Sequence, residues 1–195
     1  MLTRMTQFSV VALVVLTGCH ISDAPTSKAA APDVLSSDAG SVRISGLSQF
    51  HQTALVVTDA CRTFKYETDR QAAARATIDQ TLGSQASGLP GGLQLTVESL
   101  SLRMRCHTAG AGALSSYCAA EASLALAATA KDRNGQAISV TASKDATAQV
   151  AVGFFISALC ADGMPAVTKA VDSALAGALA DIQNGVTART GIPAR

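Results

Sequence analysis

The 195-residue sequence lacks tryptophan, and aromatic residues make up only 4% of it. It also lacks an excess of charge of either sign, since 15 Lys and Arg residues are balanced by 14 Asp and Glu residues. A basic surface of the kind that binds nucleic acid is therefore not expected, and we predict no nucleic-acid partner. No cluster of Lys and Arg along the sequence predicts electrostatic binding to anionic lipid.

The short motifs that identify common catalytic and cofactor sites are also missing. The sequence contains no G-x-S-x-G, no H-E-x-x-H, no phosphate-binding loop and no dinucleotide fingerprint. Its three histidines, His20, His51 and His107, are not spaced as metal ligands. We therefore expect no enzymatic activity, no cofactor and no bound metal, and a hydrolase with an unrecognised site is the disfavoured alternative.

The apolar run near the N terminus is too short to cross a membrane. Residues 8–16 form it, whereas a spanning helix needs about 20 residues. Arg4 precedes the run and small residues follow it, which is typical of a secretory signal. The segment LTGC (16–19) resembles the lipobox of bacterial lipoproteins. An ordinary secretory signal with an incidental cysteine is the alternative.

The lipobox resemblance implies that Cys19 is the lipidated N terminus of the mature chain. In that class of signals, diacylglycerol is added to the thiol, residues 1–18 are removed, and the new amino group receives an acyl group such as palmitate. Two or three acyl chains hold a protein on a bilayer stably without a spanning helix. His20 follows the cysteine, where Asp would favour the inner membrane, so the resemblance implies the periplasmic face of the outer membrane in a diderm bacterium.

The rest of the chain divides into a tether and one domain. Residues 19–40 are rich in Ala, Ser, Pro and Asp, and we interpret them as the lipidated N terminus and a flexible tether of roughly 25 Å root-mean-square span. Residues 41–190 are long enough to bury one hydrophobic core, so we predict a single periplasmic domain there.

The hydrophobic pattern of this domain indicates several strands. They are predicted at 41–45, 53–60, 93–106, 117–130 and 137–152. The alternation of apolar residues changes phase within the third strand, which predicts a β-bulge or a sharp bend near Glu98 and Ser99. Asn134 and Gly135 predict a hairpin turn between the last two strands.

Two helices are predicted in addition to the strands. The first covers 68–82, with a capping box that begins at Thr68 and with Gly83 as its end. The second begins at 163–165, where a proline suits the first turn, and ends at Gly185. The order of elements predicts an α+β two-layer sandwich, in which an antiparallel sheet of about four to five strands carries both helices on one face.

Four cysteines remain after Cys19, and an even number in an exported chain predicts disulfides. Cys106 and Cys118 fall on the same face of two consecutive predicted strands, so we expect these two residues to pair. Cys61 would then pair with Cys160. Four cysteines allow three pairings, and reactive or metal-bound thiols are the alternative.

A family resemblance rests on the lipobox, the tether, the order of elements and two segments. These segments are EASLALAATAKDRNGQAISVTASKDATAQV (121–150) and AVTKAVDSALAGALADIQ (166–183). Together they resemble the YajG-type envelope lipoproteins over residues 45–185. The resemblance implies a protein associated with the outer membrane and supplies no catalytic residues.

Two functions are compatible with these features. The first is a membrane-anchored, non-enzymatic lipoprotein that binds a protein partner or scaffolds a complex through the small, mixed strand face of Ala119, Glu121, Ser123 and Ala125. The alternative is an accessory lipoprotein of a lipid or lipopolysaccharide transport system, which would hold an acyl chain between sheet and helix near VGFFISAL (152–159). The sequence does not predict an oligomeric state.

Overall fold

The structure, a computed structural model, describes residues 41–58, 63–107, 116–152 and 156–193, with side chains described at 41–52, 67–107, 116–152 and 163–193. The described strands are β1 (Val42–Ser45), β2 (His51–Thr58), β3 (Thr63–Asp69), β4 (Leu93–His107), β5 (Ser116–Lys131) and β6 (Ala137–Val152). The helices are α1 (Gln71–Ser87) and α2 (Ile156–Thr190), and a 3-10 turn occupies Leu47–Phe50. The α+β class with two helices, predicted from the sequence, is confirmed.

The strands form one mixed sheet in the order β3-β2-β4-β5-β6, and β1 pairs with the start of β4. The pairs β2–β3, β4–β5 and β5–β6 are antiparallel, as expected. In contrast, β1 and β2 both run parallel to β4 and follow each other along the same edge of that strand. Between their two paired segments, the Gln52 side-chain amide donates a hydrogen bond to the Leu100 carbonyl.

The predicted irregularity in β4 is confirmed as a β-bulge. Val97 pairs with Leu126 and Ser99 pairs with Ala125, which leaves Glu98 as the extra residue. Because side chains alternate between the two faces of a strand, one extra residue moves the buried set from odd to even positions. The whole length of β4 therefore contributes apolar side chains to the same face of the sheet.

The hairpin between β5 and β6 is also as predicted. The Asp132 N–H donates to the Gln136 carbonyl at 2.9 Å, and Gly135 takes a left-handed conformation with φ 79°. The Asp132 carboxylate accepts the backbone N–H groups of Asn134 and Gln136, each at 2.8 Å. β6 then continues without interruption over the predicted range.

Helix α1 differs from its prediction at both ends. Thr68 lies in β3, so the predicted capping box is wrong. Arg70 is the N-cap residue, and its side chain forms no capping hydrogen bond. Instead, Asp69 Oδ1 accepts the N–H of Gln71 at 3.1 Å. Gly83 does not end the helix, because the next turn is buried at Ala86 and packing stabilises it beyond the glycine.

Helix α2 is longer than predicted in both directions. It spans Ile156–Thr190, so Pro165 lies inside it rather than at its first turn. Gly185 lies inside as well, and its backbone faces Val140 of β6. The helix ends where Gly191 adopts φ 68° and its N–H donates to the Thr187 carbonyl at 2.8 Å.

The core lies between the sheet and the helices. Helix α2 packs on β4, β5 and β6, whereas α1 lies beside α2 and against β1 and the 3-10 turn. Small residues of α2 allow close contact, because a Cβ at Gly163 would lie 2.9 Å from Met104 Sδ and 3.0 Å from Cys118 Sγ. In the described part of the chain, no helix has the length and apolar character needed to cross a bilayer.

Candidate functional site

The candidate site is the face of β4, β5 and β6 that the helices leave uncovered, which we call the open face. The alternation of side chains buries one set in the core and directs the other set to the opposite side. In β5, for example, Glu121 and Ser123 are exposed whereas Ala122 and Leu124 are buried. The exposed residues of these strands on the open face include Gln94, Ser101, Arg103, Arg105, Tyr117, Glu121, Ser123, Thr129, Ser139, Thr141, Ser143, Asp145, Thr147 and Gln149.

The residues that the sequence suggested for partner binding lie in the middle of the open face. Glu121 and Ser123 are exposed, and Ala119 and Ala125 are half-buried. The sheet places Ser123 between Ser101 of β4 and Asp145 of β6. Because most residues around Ser123 on the open face are Ser, Thr or Ala, few side chains in this part of the face project far from the sheet.

The open face is large enough for a protein interface. Its strands have 15, 16 and 16 residues, which correspond to a length of about 50 Å, and three strands are about 14 Å wide. The resulting area is roughly 700 Å², close to the roughly 800 Å² that one partner contributes to a standard protein–protein interface.

One end of the open face carries two arginines and an aromatic pair. Arg103 lies opposite Glu121, and Arg105 lies opposite Ala119. Beyond them, the rings of His107 and Tyr117 contact each other with centroids 4.9 Å apart and planes tilted by 31°. Tyr117 is the exposed large hydrophobic residue of the described part, with 38% of its surface accessible. Exposed tyrosine and arginine are the residue types that most often anchor protein interfaces.

The predicted disulfide joins Cys106 and Cys118 on the core side of this same end. Both residues are buried, at 1% and 0% exposure, and their α carbons are 4.1 Å apart. Burial under α2 keeps the sulfur atoms away from solvent, so the bridge is structural. Cys61, the side chain of Cys160 and the predicted lipidation residue Cys19 lie outside the described residues.

Polar side chains elsewhere in the described part of the chain form surface contacts. His51 Nε2 lies 2.7 Å from Glu67 Oε1, and His51 Nδ1 lies 3.6 Å from Asp69 Oδ2. Arg70 binds Asp172 of α2 through Nη2, at 2.7 and 2.8 Å. Among the described residues, no group of three or more His, Cys, Asp or Glu side chains is arranged to hold a metal ion.

A cleft of about 580 Å³ opens at the other end of the sheet. It is lined by Arg43, Pro90, Gly91, Gly92, Gln94, Thr129, Ala130, Lys131 and Ala137. The lining comes from β1, from the loop before β4 and the start of β4, and from the adjoining ends of β5 and β6. Sequence reasoning missed the cleft because these segments are far apart along the chain and only Arg43 and Lys131 of the lining residues are charged.

Comparisons with known proteins give limited results. No model of a protein family matches the chain, and no curated protein matches it. A solved structure of a "putative lipoprotein" from Caulobacter crescentus is similar at 19% identity and a TM-score of 0.34. The similarity covers 74% of this chain and 92% of that one.

Proposed function

We propose that this protein is a non-enzymatic envelope lipoprotein, held through Cys19 on the periplasmic face of the outer membrane, that binds a protein partner on its open face. The observation that carries the proposal is the LTGC segment at 16–19, because it couples a lipid attachment residue to a tether and a separate domain. The resemblance to YajG-type lipoproteins is compatible with this function and remains a prediction.

The buried disulfide supports an exported location. Disulfides such as Cys106–Cys118 persist in oxidising compartments, among them the bacterial periplasm, and are rare in the cytosol. The bridge and the lipobox are independent features of the chain that favour the same compartment.

The open face supports a protein partner. It combines an interface-sized area, a flat central region of small side chains and exposed Arg105 and Tyr117 at one end. A partner would bury the central region and use these larger side chains as anchors. Neither α1 nor α2 packs on this face, so binding would not require either helix to move.

Side chains of residues 153–159, near which the alternative would hold an acyl chain, lie outside the described residues. Farther along α2, the packing of the helix on the sheet disfavours an acyl chain between them. A Cβ at Gly163 would contact Met104, and a Cβ at Gly185 would lie 2.5 Å from Val140 Cγ1. Between these two glycines, Ala170, Ala174 and Ala178 of α2 are all buried at 1% or less, so protein atoms fill this interface. An acyl chain there would have to separate the helix from the sheet.

The anchor is tested by metabolic labelling with a palmitate analogue in a diderm bacterium. We expect labelled protein in the outer-membrane fraction, and we expect Cys19→Ser to abolish both the label and membrane retention. Cys61→Ser is the matched control, because it also removes one thiol but should keep the label. Unlabelled wild-type protein would refute the anchor.

The partner is tested by photo-crosslinking in intact cells. A photoreactive amino acid at Ser123, in the centre of the open face, should capture one discrete protein. The control position is Gln80, which is exposed on α1 and should not capture the same protein. Identical adducts at both positions, or none at Ser123, would contradict a binding role of the open face.

A further inference from the structure

The cleft at the end of the sheet lies where the N-terminal tether enters the domain. The Leu93 N–H donates to the Ser41 carbonyl at 3.2 Å, which fixes the first described residue beside the loop that lines the cleft. Gly92 in this loop has φ 76°, and a Cβ there would overlap the Ser41 backbone. Only glycine permits this close approach, so the entry point of the tether is set by the fold.

This end of the domain is basic although the sequence as a whole is balanced. Arg43 and Lys131 line the cleft and are exposed, and no acidic residue is among its lining residues. Arg133, two residues after Lys131, is exposed in the hairpin turn. The neighbouring Asp132 carboxylate accepts two backbone N–H groups of that turn. We call Arg43, Lys131 and Arg133 the basic corner.

We propose that the basic corner docks on the anionic phospholipid headgroups of the membrane that carries the anchor. The inference rests on the proposed lipidation of Cys19, because the tether then joins that membrane to Ser41 beside the cleft. A tether of this length has a root-mean-square span of roughly 25 Å. The tether would therefore keep the basic corner within reach of the lipid surface.

We expect each basic residue to contribute only modestly to membrane binding. The tether makes this weak binding sufficient to orient the domain. Each Lys or Arg near an anionic bilayer raises the partition coefficient about fivefold. The anchor keeps the domain at an effective concentration in the millimolar range, so weak docking is enough to orient it. The neutral donors Gln94 and Thr129 lie in the same cleft and can bind phosphate oxygens.

Docking in this way would place the partner-binding end away from the membrane. β5 runs from Tyr117 at one end of the sheet to Lys131 at the other, a distance of about 45 Å. With Lys131 at the headgroups, Tyr117 and Arg105 would extend into the periplasm. The open face would then remain accessible to a partner while the domain stays docked.

The test uses the mature chain, residues 19–195, with Cys19→Ser so that no acyl chain contributes to binding. Partition coefficients are measured by flotation with vesicles of phosphatidylglycerol and phosphatidylethanolamine and with vesicles of phosphatidylcholine alone. We expect binding only to the anionic vesicles, weakening as salt is added. The Arg43→Gln/Lys131→Gln variant should bind about 25-fold more weakly, whereas the charge-retaining Arg43→Lys/Lys131→Arg variant should bind like the wild type.

The matched control is Arg103→Gln/Arg105→Gln, which removes the same charge from the opposite end of the open face and should leave binding unchanged. The inference would be overturned if both neutral variants lost vesicle binding equally, or if the protein did not bind anionic vesicles. It would also be overturned if inorganic phosphate, added at constant ionic strength, abolished vesicle binding. Thermal melts of each variant check that it is folded. Acylation of Cys19 is measured separately in cells. If Cys19 is acylated but the protein does not bind anionic vesicles, the docking is overturned and the proposed anchor still stands.

Discussion

Gly185 of α2 faces Val140 of β6 so closely that a Cβ added to the glycine would lie 2.5 Å from Val140 Cγ1. The helix and the strand are in contact at this point through the backbone of one and the side chain of the other. Gly185 is therefore a packing residue within α2, although glycine in a helix usually lowers helix stability.

We expect Gly185→Ala to lower the free energy of unfolding by roughly 1–3 kcal/mol, because overpacking a closed interface forces side chains or backbone to move. Gly83→Ala in α1 is the matched control, since a Cβ there meets nothing within 4 Å. That variant should be more stable by about 0.5–1 kcal/mol. Urea denaturation of both proteins measures the difference, and equal stabilisation of both would show that the interface is looser than described.

Glu98 is the extra residue of the bulge in β4, and its deletion should disrupt the fold. Without it, the residues that follow would change faces, which would expose Leu100 and Met104 and separate Cys106 from Cys118. We expect the deletion to abolish cooperative unfolding or to cost more than about 4 kcal/mol. The exposed side chain itself contributes little, so Glu98→Ala should stay within about 0.5 kcal/mol of the wild type. Circular dichroism during thermal melting distinguishes the two variants, and a cooperative melt of the deletion near that of the wild type would contradict the role of the bulge.

The disulfide should contribute measurably to stability. Cys106 and Cys118 are 12 residues apart, and closing a loop of this size stabilises the folded state by about 3 kcal/mol in the chain-entropy description. We expect the free energy of unfolding of the Cys106→Ala/Cys118→Ala variant, measured by urea denaturation, to be lower by about that amount. Peptide mapping of the unreduced wild type should recover the 106–118 linkage, and a different linkage would refute the pairing. The same map would test the predicted bridge between Cys61 and Cys160.

Lys144 places a charged side chain on an edge strand of the sheet. It lies on the helix side of β6, an end strand in the order of the sheet, and its Nζ binds Asp181 Oδ2 at 2.9 Å. Both side chains are more than 40% exposed, so the ion pair contributes at most about 1 kcal/mol to stability. A charge held at an edge strand instead discourages pairing with other chains.

We therefore expect Lys144→Val to fold with nearly wild-type stability but to self-associate as concentration rises. Lys169→Val is the control, because Lys169 is exposed on α2 and away from any strand edge. Light scattering over a concentration series measures association. If Lys144→Val scatters like the control at every concentration, the edge is protected by other means.

Features with a local cause were predictable from the sequence. The phase change of apolar residues in β4 indicated the bulge, and Asn134 with Gly135 indicated the hairpin, because each depends on neighbouring residues alone. The pairing of Cys106 with Cys118 followed from the same strand alternation. Helix ends were less predictable. Gly83 and Gly185 resemble stop signals, but both helices continue past them.

The sequence by itself determined which residues alternate, where the chain turns and which cysteine resembles a lipid attachment residue, since these features reside in short segments. Only the tertiary structure decided that β1 and β2 run parallel to β4 and that α2 extends over the sheet through contacts at Gly163 and Gly185. It also brought Arg43 and Lys131 to one cleft beside the start of the domain. Such relationships join residues far apart in the chain, and packing rather than local preference selects them.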